Sequence, residues 1–271
     1  MEQTVSMELG GRTLSINTGK MAKLAGGSAV VQLGGTVVLV AASASKMASP
    51  NRDFVPLTVD YRERTYAAGK IPGGFFKREG RPTEKEVLSS RLIDRPIRPL
   101  FPKHFPYETQ IMATVVSSDQ ENDADVLALV GASAAMNLSD IPFPEPIAGV
   151  RIGRVEGAFV VNPTFAQLDE SDMDMVVAGT ADNIIMVEGG TRELPESAIV
   201  DALRVVGRKR LAVASGYTEE VNGQFRVFLQ ESGLDVVALQ GLGLLTPPDN
   251  LSRDELATFI VDVFRAAPDA E

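Results

Sequence analysis

Alternation of apolar and polar positions, broken by glycine pairs, organises the first third of the chain. Residues 4–9 and 12–18 flank Gly10-Gly11, and residues 28–33 and 36–44 flank Gly34-Gly35. Each arrangement predicts a β-hairpin, with the glycines supplying the turn. Residues 37–42 are continuously apolar, the pattern of a strand covered on both faces. A further strand is expected over 53–60, and residues 69–80 form a Gly/Pro-rich loop. Thr83 with Glu86 three residues on has the form of a capping box. It predicts a helix running to Asp94, because Pro96 disfavours helical backbone at Arg95. Its apolar stripe is Val87, Leu88 and Leu92, with Arg91 and Arg95 four apart on another face.

Beyond it, a strand is predicted over 109–117 and a helix of small residues over 123–138. Hairpins follow over 147–153 with 158–162, and over 173–179 with 183–188. After residue 194 the rhythm becomes helix (195–207), strand (210–215), helix (218–232), strand (235–240), helix (252–266). Such alternation implies parallel strands with crossover helices. The expected fold is therefore α/β (α+β): a mixed sheet with helices over residues 1–194, then an incomplete parallel βα unit over 195–271.

Charge changes this picture. The chain carries −10 overall, yet residues 62–103 hold 11 Lys/Arg against 5 acids. A basic stretch in an acidic protein, with adjacent aromatics Phe75-Phe76 in a Gly-rich loop, suits a polyanion bearing flat bases. The absence of cysteine excludes disulfides, thiolate metal sites and cysteine nucleophiles. A single histidine, His104, removes zinc clusters and most histidine acid–base schemes. No phosphate-loop pattern occurs. Neither a signal sequence nor an apolar run of about 18 residues is present, so a soluble cytoplasmic protein without membrane contact is expected.

The run YRERTYAAGKIPGGFFKREGRP, followed by RLIDRPIRPLFP, resembles the polynucleotide phosphorylase (polyribonucleotide nucleotidyltransferase) family in its first ribonuclease-PH-like core domain. LVGASAAMNLSDIPFPEPI (129–147) and DMVVAGTADNIIMVEGG (174–190) extend the resemblance over residues 3–194. It implies a ribonuclease-PH-like (ribosomal S5 domain 2-like) fold and 3′-to-5′ phosphorolytic degradation of mRNA. In that reaction inorganic phosphate attacks the terminal phosphodiester and a nucleoside diphosphate leaves. It also implies a homotrimer around single-stranded RNA, with Mg2+ and phosphate as requirements of the full-length enzyme and no cofactor in this chain. On this resemblance Phe75, Phe76, Lys77 and Arg78 form the loop at the channel constriction, and Arg91, Arg95 and Arg98 line the RNA path. The family's phosphate-binding serines and metal-binding aspartates belong to a second core domain, so this chain alone is expected to be inactive. No catalytic residue and no metal site is assigned.

Two alternatives stay open on the residues themselves. Phe75-Phe76 either stacks on bases or packs a loop against the core, and Arg95 and Arg98 either meet phosphates, or pair with Asp94 or serve a plain surface role. Ser117-Ser118-Asp119 and Asp123/Asp125 read as turn and cap chemistry rather than as phosphate or Mg2+ groups. Residues 198–271 resemble a different family, the maleate isomerase and arylmalonate decarboxylase branch of the aspartate/glutamate racemase superfamily. There Tyr217 matches a carboxylate-binding tyrosine. That branch works through cysteine thiolates, and the chain has none.

Overall fold

The computed structural model describes residues 2–49, 54–73, 80–205, 210–215 and 235–241, with Gly223, Val227 and Gln230. Two six-stranded sheets enclose a central helix. The first sheet contains β1 (Gln3–Leu9), β2 (Arg12–Thr18), β3 (Gly27–Leu33), β4 (Thr36–Ala48), β5 (Leu57–Glu63) and β6 (Tyr107–Ser117). Its order is β1-β2-β3-β4-β6-β5, antiparallel except for the parallel β5–β6 pair. Helix α1 (Glu84–Ile97) and helix α2 (Asp125–Asn137) follow the fifth and sixth strands. The second sheet contains β7 (Ala148–Val155), β8 (Ala158–Val161), β9 (Met173–Gly179) and β10 (Asn183–Thr191), with the short helix α3 (Phe165–Glu170) before β9. After α4 (Glu196–Val205), strands β11 (Arg210–Ser215) and β12 (Asp235–Gly241) complete it in the order β12-β11-β10-β9-β7-β8.

The predicted parallel strands of the tail are present, but they join the second sheet rather than forming one of their own. β11 pairs with β10 through only Asn183↔Arg210 and Ile184↔Leu211. The helix expected over 252–266 lies outside the described residues. That expected over 218–232 is described only at Gly223, Val227 and Gln230, all helical. Among the described residues no helix is long and apolar enough to cross a membrane.

Helix α2 is apolar around its whole circumference, as a helix buried on every side must be. Leu127, Ala128, Leu129, Ala132, Ala135 and Met136 are buried. They share one core with Val31, Val38 and Val40 of the first sheet and with Val176 and Ala178 of the second. Two glycines set how closely the sheets approach. A Cβ on Gly27 of β3 would lie 2.0 Å from the Ala135 carbonyl oxygen, and one on Gly149 of β7 would lie 2.4 Å from Leu129 Cδ2. The helix is held between them with no space for a methyl group on either side.

Three sequence expectations change. The apolar run 37–42 is covered on one face only: Val38, Val40 and Ala42 are buried beneath the helices, and Val37, Leu39 and Ala41 are half-buried on the outer face. Helix α1 has the predicted capping box, with Thr83 Oγ1 accepting from the Glu86 amide and the Glu86 carboxylate accepting from the Thr83 amide. It continues past Asp94, however, with Pro96 inside its last turn. A proline there forfeits a single intrahelical bond, and its buried ring lies among Leu92, Ile93 and Ile97. The buried stripe is therefore Glu86, Ser89, Leu92, Ile93, Pro96 and Ile97, and Val87 and Leu88 face out. Helix α3 is additional, and its signal was the capping box of Thr164 and Gln167.

Substituting Gly27→Ala is expected to cost about 1–3 kcal/mol, because a backbone carbonyl cannot move aside as a side chain can. Thermal unfolding should fall by several degrees. Gly190→Ala, where a Cβ meets nothing within 4 Å, is the control. Equal melting temperatures for the two variants would refute the close-approach account.

Candidate nucleic-acid interface and the adjoining cleft

Helix α1 and its C-cap present three arginines in three different states. Arg91 is exposed and, among the described residues, makes no ion pair. Arg95, one turn on, is half-buried, and its Nη1 donates to Glu188 Oε2 of β10 at 2.6 Å. Arg98 is built into the fold. Its Nε and Nη2 donate to both Asp94 carboxylate oxygens at 2.9 and 2.7 Å, and its Nη1 and Nη2 donate to the Val55 and Leu57 carbonyls at 2.8 and 3.0 Å. This guanidinium fastens the C-terminal end of α1 to the start of β5. The Asp94 pairing considered from sequence thus holds for Arg98, whereas the partner of Arg95 lies 93 positions away. Phe75, Phe76, Lys77 and Arg78 fall in 74–79, outside the described residues, and so does Tyr217.

Beside this face a cleft of about 900 Å³ opens between α1, the N-terminus of α2, β9 and β10. Its floor is a partly buried ion cluster centred on Arg151. Arg151 of β7 donates to Asp125 at 2.5 Å and to Asp174 at 2.9 Å, and lies 3.5 Å from Asp123. Lys85 of α1 pairs with Glu63 at 2.8 Å and Asp123 at 3.3 Å, and stands 5.5 Å over the Phe165 ring. The buried Tyr61 hydroxyl donates to Glu63 at 2.8 Å. The Arg151 Nε is buried without a hydrogen-bond partner.

Burial, followed by the neighbouring charge of Asp123, raises the Asp125 carboxyl to about 6, against the opposing pull of Arg151 and Lys85. Burial opposes charge on Arg151 and Lys85 too. The surrounding carboxylates outweigh it, Asp125 foremost for Arg151 and Asp123 for Lys85, so both groups titrate above their usual range. Burial, reinforced by Glu63, holds the Tyr61 hydroxyl protonated well beyond the ordinary tyrosine range.

These residues do not fit a magnesium ion. The carboxylates of Asp123, Asp125 and Asp174 converge on the Arg151 guanidinium, which fills the place a metal would take. The cleft lining carries six carboxylates against three cations, so the basic character of residues 62–103 does not extend into it.

The serine-aspartate turn is structural, as its sequence suggested. Asp119 accepts from the amides of Gly35, Glu121 and Asn122, each at 2.9 Å, from Thr36 Oγ1 at 2.9 Å and from Asn122 Nδ2 at 2.6 Å. Burial opposes its charge, but those donors prevail and hold the carboxyl far below the usual carboxylate range. Ser117 Oγ donates to the Gly35 carbonyl. The loop and the Gly34-Gly35 hairpin are thereby pinned together.

Sequence reading missed Lys85, Arg151, Asp174 and Glu188. The cluster draws on five separate elements and has no spacing signature. The one local sign was Arg151 itself, a charge amid the small and apolar residues of β7.

Comparison with known proteins follows this architecture. Residues 10–142 match the 3′ exoribonuclease family, domain 1, and residues 145–205 match its domain 2. Residues 184–271 match arylmalonate decarboxylase. The polyribonucleotide nucleotidyltransferase of Geobacter sulfurreducens is 60% identical over 202 residues, which is 74% of this chain and 29% of that protein. The enzyme of the same name from Heliobacterium modesticaldum is 51% identical over 263 residues, 93% of this chain and 37% of that protein. The chain thus spans about a third of the length of these curated relatives. Among solved structures, rice Rrp46 superposes with a TM-score of 0.55 at 14% identity, covering 76% of this chain and 88% of that one. A chain of the Archaeoglobus fulgidus exosome with RNA bound to the active site gives 0.54 at 17%, covering 76% and 83%. Both likenesses concern the fold.

The raised carboxyl of Asp125 has a thermodynamic signature. Its folded value of about 6 stands above the unfolded value of about 3.9. Its contribution is therefore fully present below pH 4 and is lost as pH rises through 6. Between pH 5 and 7 the wild type should lose about 1 kcal/mol of stability that the Asp125→Asn variant keeps. Urea unfolding at the two pH values measures the difference, and identical pH dependence in both proteins would rule this assignment out.

Proposed function

The chain belongs, over residues 10–205, to the 3′ exoribonuclease family, and from that premise we propose that it is the RNA-gripping core of a polyribonucleotide nucleotidyltransferase. In this reading the protein holds single-stranded RNA during phosphorolysis from the 3′ end, with inorganic phosphate as co-substrate and three copies forming a ring around the RNA. The observation that carries it is the 60% identity over 202 residues to a protein of that name, in a segment where the net charge turns positive. Arg91 is exposed on α1, and in this reading Phe75, Phe76, Lys77 and Arg78, 13 to 16 positions earlier in the sequence, add stacking rings and cations. Cations hold a phosphate backbone without reading sequence, and rings stack on any base.

The partly buried cluster supports a gripping role over a chemical one. Its cations are committed to carboxylates, and its carboxylates to cations. A second reading, an isomerase or decarboxylase built on the tail, is favoured by the arylmalonate decarboxylase match over 184–271. With no cysteine in the 271 residues, that reading has no thiolate to work through.

Labelled oligoadenylate should bind with affinity that falls steeply between about 50 and 200 mM salt. Salt-independent affinity would refute the phosphate-gripping account. Arg91→Ala should weaken binding with melting unchanged. Arg98→Ala should instead cost about 1–3 kcal/mol of stability, since it strands Asp94 and two carbonyls. Replacing Phe75 and Phe76 together by Ala should lower RNA affinity with the circular dichroism spectrum intact. A collapsed spectrum would mean that the pair is core.

A further inference from the structure

The Arg95–Glu188 contact differs in kind from the ion pairs of Arg98 and Arg151. Arg98 is tied by four bonds from the side chain of Asp94 and two backbone carbonyls. Arg151 is buried among three carboxylates. Arg95 has one carboxylate partner, and both side chains reach solvent, at 36% and 44% exposure. No other bond of Arg95 is made to the described residues. A pair of this type is exchangeable: solvent screens it, and either partner is re-hydrated at little cost when the other leaves. Its position matters as well. Arg95 follows Arg91 by one helical turn, so the two guanidinium groups lie on the same face of α1. Glu188 lies at the cleft wall, next to Gly189 and Gly190, which place no side chain over it.

We infer that Glu188 is an internal competitor for the Arg95 guanidinium, occupying the place an RNA phosphate takes when the strand is gripped. The inference rests on the RNA-binding reading above and adds to it a residue that sets how much of the cationic face is available. A carboxylate and a phosphate offer the same pair of anionic oxygens to a guanidinium fork. Gripping RNA at Arg95 then requires exchanging one anion for the other, and the internal one is always present at high effective concentration. Arg91 needs no such exchange, and Arg98 cannot undergo it. From Arg91 to Arg98 the helix and its C-cap thus present one open cation, one guarded cation and one structural cation.

The test is a double-mutant cycle read by fluorescence titration of labelled oligoadenylate. Glu188→Gln keeps the shape of the side chain and removes its charge, and its exposed position leaves the fold intact. Relative to wild type it should bind about two- to five-fold tighter at low salt, the range expected for releasing one exposed ion pair. The gap should close as salt rises, because screening weakens the internal pair too. In an Arg95→Ala background, Glu188→Gln should bring little further gain. If it brings the same gain there as in wild type, Glu188 acts only through long-range charge and the competitor role is refuted. Wild type that binds RNA, with Glu188→Gln binding no tighter, refutes the inference alone. Wild type that binds no RNA removes the RNA-binding reading, and this inference with it.

Discussion

Everything in the structure is arranged around the fit of α2 between the two sheets. Its side chains are apolar on every side, and glycines at 27 and 149 allow backbone and side chains from opposite directions to reach it. Interiors packed to this density transmit displacement rather than absorb it. The polar cluster sits where the N-terminus of this helix leaves the apolar seam. There Asp125, the first helical residue, meets Arg151 and Asp174 from the second sheet, and Lys85 and Glu63 approach from the first sheet's side. The cluster is therefore the charged end of a dry interface, and its ions owe their spacing to the helix beside them. Removing either partner of such a pair strands the other.

The fold was legible where a pattern repeats locally. Both glycine-paired hairpins, the Thr83 capping box and the later hairpins stand where periodicity put them, because turn chemistry and strand alternation act over a few residues. The end of α1 was not legible. The rule against helix before proline is a local bias, and burial of Pro96 among Leu92, Ile93 and Ile97 overrides it. The same packing turned Val87 and Leu88 outward, since the helix rolls to bury Glu86 and Ser89 against the first sheet. Glu86 can be buried because its carboxylate accepts the Thr83 and Glu63 amides, which no hydrophobic pattern anticipates.

The site was legible only as a charge excess. Composition identified a cationic segment, and resemblance attached it to RNA. Neither separates an arginine that faces water from one that serves as a bolt. Arg91 and Arg98 stand in the same short motif and have the same chemistry, yet the Val55 and Leu57 carbonyls decide that one of them is internal. Arg151 went unnoticed for the converse reason. Its partners are dispersed over the sequence at 123, 125 and 174, so only tertiary structure assembles them.

The junction between β10 and β11 has a mechanical meaning. Among the described residues, two registered pairs join the strand pair β11–β12 to the sheet, whereas β9 and β10 are zipped along nearly their full length. A border so narrow confines any separation of the downstream strand pair to one seam, and the inner strands keep their own register on the other side of it. Residues 184–205, which span this junction's upstream side, fall within the matches to both the 3′ exoribonuclease family, domain 2, and arylmalonate decarboxylase.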